Sequence, residues 1–181
     1  MQEKNRVVFV TTTAIIAALY TALTVCLAPI SFGLVQCRVS ELLTVLAVYT
    51  PAAIPGLTVG CVLSNLIGLS MGSNIAGALD VLLGPLATGL AALLTRLWRN
   101  HRLCGLPVLS TLQPVVLNAL IVGTELAAVS PVFTLPVWGI QMGLVAAGQL
   151  VACVGGGLAL AKVLEKTGAD RLMAGKRDTR S

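Results

Sequence analysis

Residues 39–71 read VSELLTVLAVYTPAAIPGLTVGCVLSNLIGLSM, an apolar stretch whose one charged residue is Glu41. Pro51 and Pro55 interrupt it. Because proline disrupts a helix interior, the stretch predicts two helices, 39–54 and 56–71, of about sixteen residues each. Helices of this length can cross a bilayer if they tilt little. A re-entrant hairpin over the same residues remains an alternative.

Four further segments are apolar over ~20 residues, the length that a helix needs to cross the hydrocarbon core. They are residues 7–28, 77–98, 108–129 and 137–163. The chain is 56% hydrophobic and 10% charged, too few charges for a soluble domain. We therefore expect an all-α integral membrane protein, a six-transmembrane-helix bundle forming one domain over 1–181, with a cytoplasmic tail at 164–181.

Basic residues determine the predicted orientation. The net charge of +5 comes from both tails and one short loop, a placement that favours membrane orientation over nucleic-acid binding. Six crossings put all of these residues in the cytoplasm, together with both termini, whereas five crossings separate them. The residues are Lys4, Arg6, Arg96, Arg99, Arg102, Lys166, Arg171, Lys176 and Arg177.

In this topology three carboxylates, Glu41, Asp80 and Glu125, reach the outer side, where Arg38 is the one nearby cation. Ionisable groups at membrane depth suggest function. Glu41 could instead pair with Arg38 three residues earlier, and Asp80 could compensate a helix dipole. Glu125 lies near a helix C-terminus, where the dipole disfavours an anion, so a functional role is favoured. The acidic side suits a cationic or donor-rich ligand.

Several amides and one tryptophan share faces with these carboxylates. Asn118 lies two helical turns before Glu125, and Trp138, Gln141 and Gln149 lie near one face of the last helix. Asn65 lies toward the outer end of the third helix. Hydrogen bonds between helices are the alternative for the amides, and an interfacial anchor is the alternative for Trp138.

Ala14, Ala18 and Ala22 form a ridge of small residues on the first helix. Such a ridge lets a second helix approach closely. It could pack against the protein's own helices or serve as a docking surface for a separate subunit.

The sequence motifs do not support an enzymatic function. Residues 68–72 match the G-x-S-x-G pattern, but His101 is predicted on the opposite side of the membrane from Ser70, too far to act as its base. The sequence contains no G-x-x-x-x-G-K-[ST] loop, so ATP-driven uptake would need a partner ATPase. We expect no enzyme, no catalytic residue, no metal site and no cofactor in this chain.

From residue 8 to residue 166 the sequence resembles the QueT family. The resemblance is carried by these segments: Ala28-Pro29-Ile30-Ser31-Phe32-Gly33, Gln36-Cys37-Arg38-Val39-Ser40-Glu41, Thr50-Pro51-Ala52-Ala53-Ile54-Pro55-Gly56, Asn65-Leu66, Leu79-Asp80-Val81, Leu117-Asn118-Ala119-Leu120-Ile121-Val122-Gly123 and Glu125. Two positions depart from the family pattern: Gln149, where relatives often carry glutamate, and Pro85, where they often carry serine.

The resemblance implies the S component of an energy-coupling factor (ECF) transporter in the cytoplasmic membrane of a prokaryote. It would bind a queuosine precursor, a 7-deazaguanine base, and deliver it to a transmembrane T component and two ATPases that use ATP. The alanine ridge would contact the T component, and the first outer loop, 29–38, would act as a lid. The departure at Gln149 leaves open which modified base is preferred.

A guanine-like base has adjacent N–H donors that one carboxylate can accept together. Glu125 or Glu41 could take them, and Asp80 could meet an aminomethyl cation. Asn118, Gln141 and Gln149 could serve the carbonyl and ring nitrogens, while Trp138 or Phe32 could stack on the ring. Arg38 and Asn65 complete the predicted binding residues. Two rivals stay open: an S component for another vitamin-like solute, and a small proton-coupled transporter using Glu125.

Overall fold

The computed structural model describes residues 2–33 and 36–173. Within these ranges every named element is helical. In chain order they are α1 (Gln2–Cys26), α2 (Ala28–Ser31), a 3-10 helix (Val39–Val45), α3 (Leu46–Tyr49), α4 (Ala53–Ser70), a 3-10 turn (Gly77–Leu79), α5 (Asp80–Leu97), α6 (Val108–Ala128), α7 (Leu135–Gln149), a π-helix (Leu150–Gly156), α8 (Gly157–Thr167) and α9 (Ala169–Met173).

Five helical stretches are long and apolar enough to cross a membrane: 5–26, α4, 77–97, α6 and 135–167. The predicted 39–54 helix is shorter than expected: it is helical over Val39–Tyr49, and its last two residues, Ala53 and Ile54, begin α4 instead. The chain turns at 50–52, ahead of Pro55. Pro55 is the third residue of α4, where a backbone N–H has no helical partner to lose, so it does not end the helix.

The Val39–Tyr49 segment runs beside α5 for most of that helix's length. At one end Arg38 forms an ion pair with Asp80, the first residue of α5. At the other end Arg96 donates a hydrogen bond to the carbonyl oxygen of Ala47 at 3.2 Å. The 3-10 helix rises about 2.0 Å per residue against about 1.5 Å in an α-helix, which lets a short segment reach further. The segment packs against α1, α5, α8 and the π-helix, in the interior of the bundle.

Helices α1 and α4 approach closely through glycines on α4. A Cβ atom at Gly56 would lie 2.9 Å from the Thr13 carbonyl oxygen, and one at Gly60 would lie 2.8 Å from Tyr20 Cβ. Small residues at four-residue spacing are typical of close helix packing in membranes. The opposite face of α1 is exposed and carries the alanine ridge, Ala14, Ala18 and Ala22, with Ile15 and Leu19 beside it.

A polar network joins three segments at the end of the bundle opposite Asp80. The Glu165 Oε1 atom of α8 accepts hydrogen bonds from the Tyr49 hydroxyl at 2.8 Å and from Arg102 Nη1 at 2.6 Å. The hydrogen bond to Glu165 raises the pKa of the Arg102 guanidinium. This network ties α3 and α8 to the loop between α5 and α6. The predicted tail extends further, but Lys176 and Arg177 lie outside the described residues.

Candidate functional site

The end of the bundle that contains Asp80 holds several buried polar side chains. Arg38 and Asp80 are 3% and 0% exposed and form an ion pair. The Asp80 Oδ2 atom, which pairs with Arg38, also accepts a hydrogen bond from Asn74 Nδ2 at 3.0 Å. Asn65 Nδ2 donates to the Asp80 carbonyl oxygen. Any Cβ atom at Gly84 would collide with Asp80 Oδ1 and Asn65 Nδ2, so a glycine is required beside this pair.

Phe32 completes this side of the site. Its ring is buried, and the Arg38 guanidinium carbon lies 5.4 Å from the ring centroid, in cation–π contact. A Cβ at Gly68 would lie 2.6 Å from the ring, so α4 also needs a glycine here. The Phe32 ring was predicted to stack on a base, and in this structure it contacts the Arg38 guanidinium.

Glu41 is buried but fully paired. Its Oε1 accepts hydrogen bonds from the Tyr20 hydroxyl at 2.6 Å and from the Thr88 hydroxyl at 2.7 Å, and its Oε2 accepts one from Thr44 at 3.0 Å. The expected alternative, a pair with Arg38 three residues earlier, is wrong because Arg38 reaches Asp80 instead. Arg38 precedes the 3-10 helix in an extended conformation, which does not bring its side chain over the next turn.

The Cys61 thiol lies between these two groups. Its sulfur accepts hydrogen bonds from Arg38 Nη1 at 3.4 Å and from Asn65 Nδ2 at 3.7 Å. With it, the residues Tyr20, Arg38, Glu41, Asp80 and Thr88 form one buried network, which we call the paired cluster.

Glu125 presents the opposite case. It is 2% exposed, on the last turns of α6, and neither carboxylate oxygen has a hydrogen-bond partner among the described residues. Asn118, two turns earlier on the same face, is 4% exposed, and its Nδ2 also has no partner there. An unsatisfied buried polar group costs about 1–3 kcal/mol, more if charged. We call Glu125 and Asn118 the unpaired group.

The paired cluster and the unpaired group are neighbours. Ala76 and Ala87, which lie before and after Asp80 in the chain, pack in one buried core cluster with Val122 and Leu126, which lie before and after Glu125. Arg38 Nε, Asp80 Oδ1 and Asn65 Oδ1 also lack partners among the described residues. Unpartnered hydrogen-bond donors and acceptors therefore lie in both the paired cluster and the unpaired group.

The three residues predicted as binding residues on the last helix differ in burial and in hydrogen-bond partners. Gln149 is 2% exposed and its Oε1 accepts a hydrogen bond from the Cys153 thiol at 3.1 Å. Gln141 is half-buried, with Oε1 unpartnered among the described residues. Trp138 is half-buried and its Nε1 donates to Thr124 at 2.9 Å. Because Thr124 is exposed, that contact lies away from the buried face that bears Glu125.

Sequence reasoning missed three residues of the site: Tyr20, Thr88 and Asn74. The first two had a signal in the sequence. Tyr20 is a polar aromatic on the apolar α1, and Thr88 lies two turns after Asp80, hence on its face of α5. Asn74 lies in a connection, where helical periodicity gives no information.

The G-x-S-x-G serine has no catalytic surroundings. The Ser70 hydroxyl is exposed and donates to the Ile67 carbonyl at 2.7 Å. His101 packs on Trp98, 5.0 Å between ring centroids, beyond the C-terminal end of α5, whereas Ser70 ends α4 near the start of α5.

A family model described as QueT transporter matches residues 10–166, most of the chain. The chain belongs to the QueT transporter family. It is accordingly a multi-pass membrane transporter protein and not an enzyme, as predicted.

A curated relative is the queuosine precursor transporter QueT of Lactococcus lactis subsp. cremoris (strain MG1363). It is 38% identical to this QueT family member over 82 residues, which cover 44% of this chain and 48% of the relative. The match thus spans about half the length of the relative. No solved structure matches the chain.

Proposed function

We propose that this chain is the substrate-binding S component of an ECF-type importer. It binds a queuosine precursor, namely a 7-deazaguanine base such as the aminomethyl or nitrile form, or queuine. Membership of the QueT transporter family supports transport, and the printed name of the lactococcal relative supports the substrate class.

The observation that carries the proposal is the buried, unpartnered carboxylate of Glu125 beside the unpartnered amide of Asn118. A carboxylate with both oxygens available can accept the two adjacent N–H groups on the pairing edge of a guanine-type base. Asn118 can donate to an acceptor on the same ring. Asp80 offers Oδ1 to an aminomethyl cation, since only its Oδ2 is used by Arg38 and Asn74.

The proposed topology has six crossings, one domain over 1–181 and both termini in the cytoplasm. Val39–Tyr49 would be the short second crossing, supported by its contacts with both ends of α5. Thr13 of α1 donates to Ala52 beyond Tyr49, and Tyr49 reaches Glu165 of α8, which supports placing both termini at one end. Since the segment lies inside the bundle, its length need not match the lipid thickness.

Partners complete the proposed mechanism. The chain would hand its ligand to a transmembrane T component, and two partner ATPases would supply the energy of ATP. The exposed ridge formed by Ala14, Ala18 and Ala22 supports docking of the T component on α1, because small exposed residues let a second helix approach the backbone.

Equilibrium binding of 7-aminomethyl- and 7-cyano-7-deazaguanine to the purified protein tests the proposal. Glu125→Gln should weaken binding at least about 100-fold, because two hydrogen bonds to a charged acceptor contribute about 1.5–3 kcal/mol each. Glu165→Gln is the matched control: the same chemical change at the other end of the bundle should leave affinity unchanged.

The outcomes separate the rivals. Wild-type affinity in Glu125→Gln would remove Glu125 from the site, and no binding of either base to the wild type would remove the substrate class in favour of another vitamin-like solute. Uptake into vesicles driven by a pH gradient, without ATPases, would instead favour a proton-coupled transporter that uses Glu125.

A further inference from the structure

Gln36 has an unexplained buried amide. It is 1% exposed, among the largest fully buried side chains, and its Nε2 has no hydrogen-bond partner among the described residues. Nearly all buried polar groups in folded proteins are paired, so an unpaired donor needs an explanation.

The backbone at Gln36 adopts a conformation that glycine would adopt at less cost. Its φ is +43°, in the left-handed region that disfavours L side chains. The turn is closed by hydrogen bonds from Gln36 N to Gly33 O at 3.0 Å and from Arg38 N to Gln36 O at 2.9 Å. Four glycines occupy the other positive-φ positions of the described chain, apart from Cys104 in an exposed loop. Strain of this kind concentrates at functional sites.

The neighbours of Gln36 place it between the two sides of the site. Cys37 donates its thiol to the Gly148 carbonyl at 3.4 Å, next to Gln149, and packs against the buried cluster that contains Val115, one turn before Asn118. Arg38, on the other side, pairs with Asp80.

We infer that Gln36 is a ligand-contacting residue, whose side-chain amide donates a hydrogen bond to the ring carbonyl of the guanine-type base. This inference rests on the proposed function. The carbonyl adjoins the N–H donors assigned to Glu125, and Gln36 lies two residues before Arg38, which pairs with Asp80 at the same end of the bundle. Gln36 then determines specificity, because a site built around a donor rejects an analogue that lacks the matching acceptor.

Two variants and one analogue test it. Gln36→Met keeps the side-chain size and the backbone conformation but removes the donor, and Gln36→Gly removes the side chain while relieving the strain. Each should bind 7-cyano-7-deazaguanine about two- to tenfold more weakly than wild type, the effect of losing one neutral hydrogen bond. A 2,6-diamino-7-deazapurine lacks the carbonyl and also the adjacent ring N–H, so the wild type should prefer the cyano base, and this preference should narrow by a similar factor in Gln36→Met, which loses only the contact to the carbonyl.

Cys104→Gly is the control, since it relieves the same kind of strain outside the site. It should keep wild-type affinity. Wild-type affinity and preference in both Gln36 variants would overturn the inference alone. If the wild type itself binds no deazaguanine base, the proposed function fails and the inference fails with it.

Discussion

Two buried carboxylates, Glu41 and Glu125, have opposite surroundings. Both are almost fully inaccessible, at 1% and 2% exposure. Glu41 accepts hydrogen bonds from three hydroxyl groups, whereas Glu125 accepts none from the described residues. Burial and residue type are therefore the same, and the difference lies in the partners. A paired carboxylate fixes helices relative to one another, and an unpaired one is available to a ligand.

The largest effect should follow from breaking the paired cluster at Asp80. Asp80→Asn leaves Arg38 as a buried, uncompensated cation, so we expect the free energy of unfolding to fall by about 3–5 kcal/mol. Chemical denaturation of the ligand-free protein in detergent measures it. The double variant Arg38→Met, Asp80→Asn should be more stable than Asp80→Asn alone, because it removes the unpaired charge. If Asp80→Asn is as stable as the wild type, the ion pair does not stabilise the fold.

Removing one donor from Glu41 should have the next largest effect. Tyr20→Phe keeps the packed ring but removes a hydrogen bond to a buried carboxylate, which should cost about 1.5–3 kcal/mol. Denaturation under the same conditions measures it, with Thr21→Val as a control, since the Thr21 hydroxyl contacts only backbone carbonyls of Ala17 and Gly60. A loss in Tyr20→Phe no larger than in that control would mean that the hydroxyl is dispensable.

The sequence predicted where the carboxylates lie but not which of them is paired. Hydropathy and basic residues were enough to predict helices and to bring Glu41, Asp80 and Glu125 toward one end. The partners were not predictable, because Arg38–Asp80 and Tyr20–Glu41 join residues on different helices. Whether a carboxylate is paired depends on those long-range contacts. A helix over 39–54 was predicted, but its 3-10 geometry and its end at Tyr49 were not, since sequence periodicity does not distinguish a short 3-10 helix from an α-helix.

A smaller effect is expected at the far end of the bundle, where the ion pair is partly exposed. Arg102 and Glu165 are 38% and 27% exposed. Exposed pairs contribute about 0.2–1 kcal/mol, so Glu165→Gln should lower the free energy of unfolding by no more than that. Raising the salt concentration should reduce the difference between variant and wild type, because solvent ions screen exposed pairs. A loss as large as that in Asp80→Asn would contradict the distinction between buried and exposed pairs.

The smallest loss of stability should come from Glu125→Gln, although the side chain is as buried as Glu41. The amide keeps the shape of the carboxyl, whose two oxygens have no partner among the described residues, so no hydrogen bond is lost. We expect ligand-free Glu125→Gln to unfold at a free energy equal to or above that of the wild type. Glu41→Gln, the same change in the paired region, should be clearly less stable. Adding 7-cyano-7-deazaguanine should then stabilise the wild type and not Glu125→Gln, because a ligand stabilises only a protein that binds it. A loss of stability in ligand-free Glu125→Gln equal to that in Glu41→Gln would mean that Glu125 supports the fold, and the contrast between the two regions would disappear.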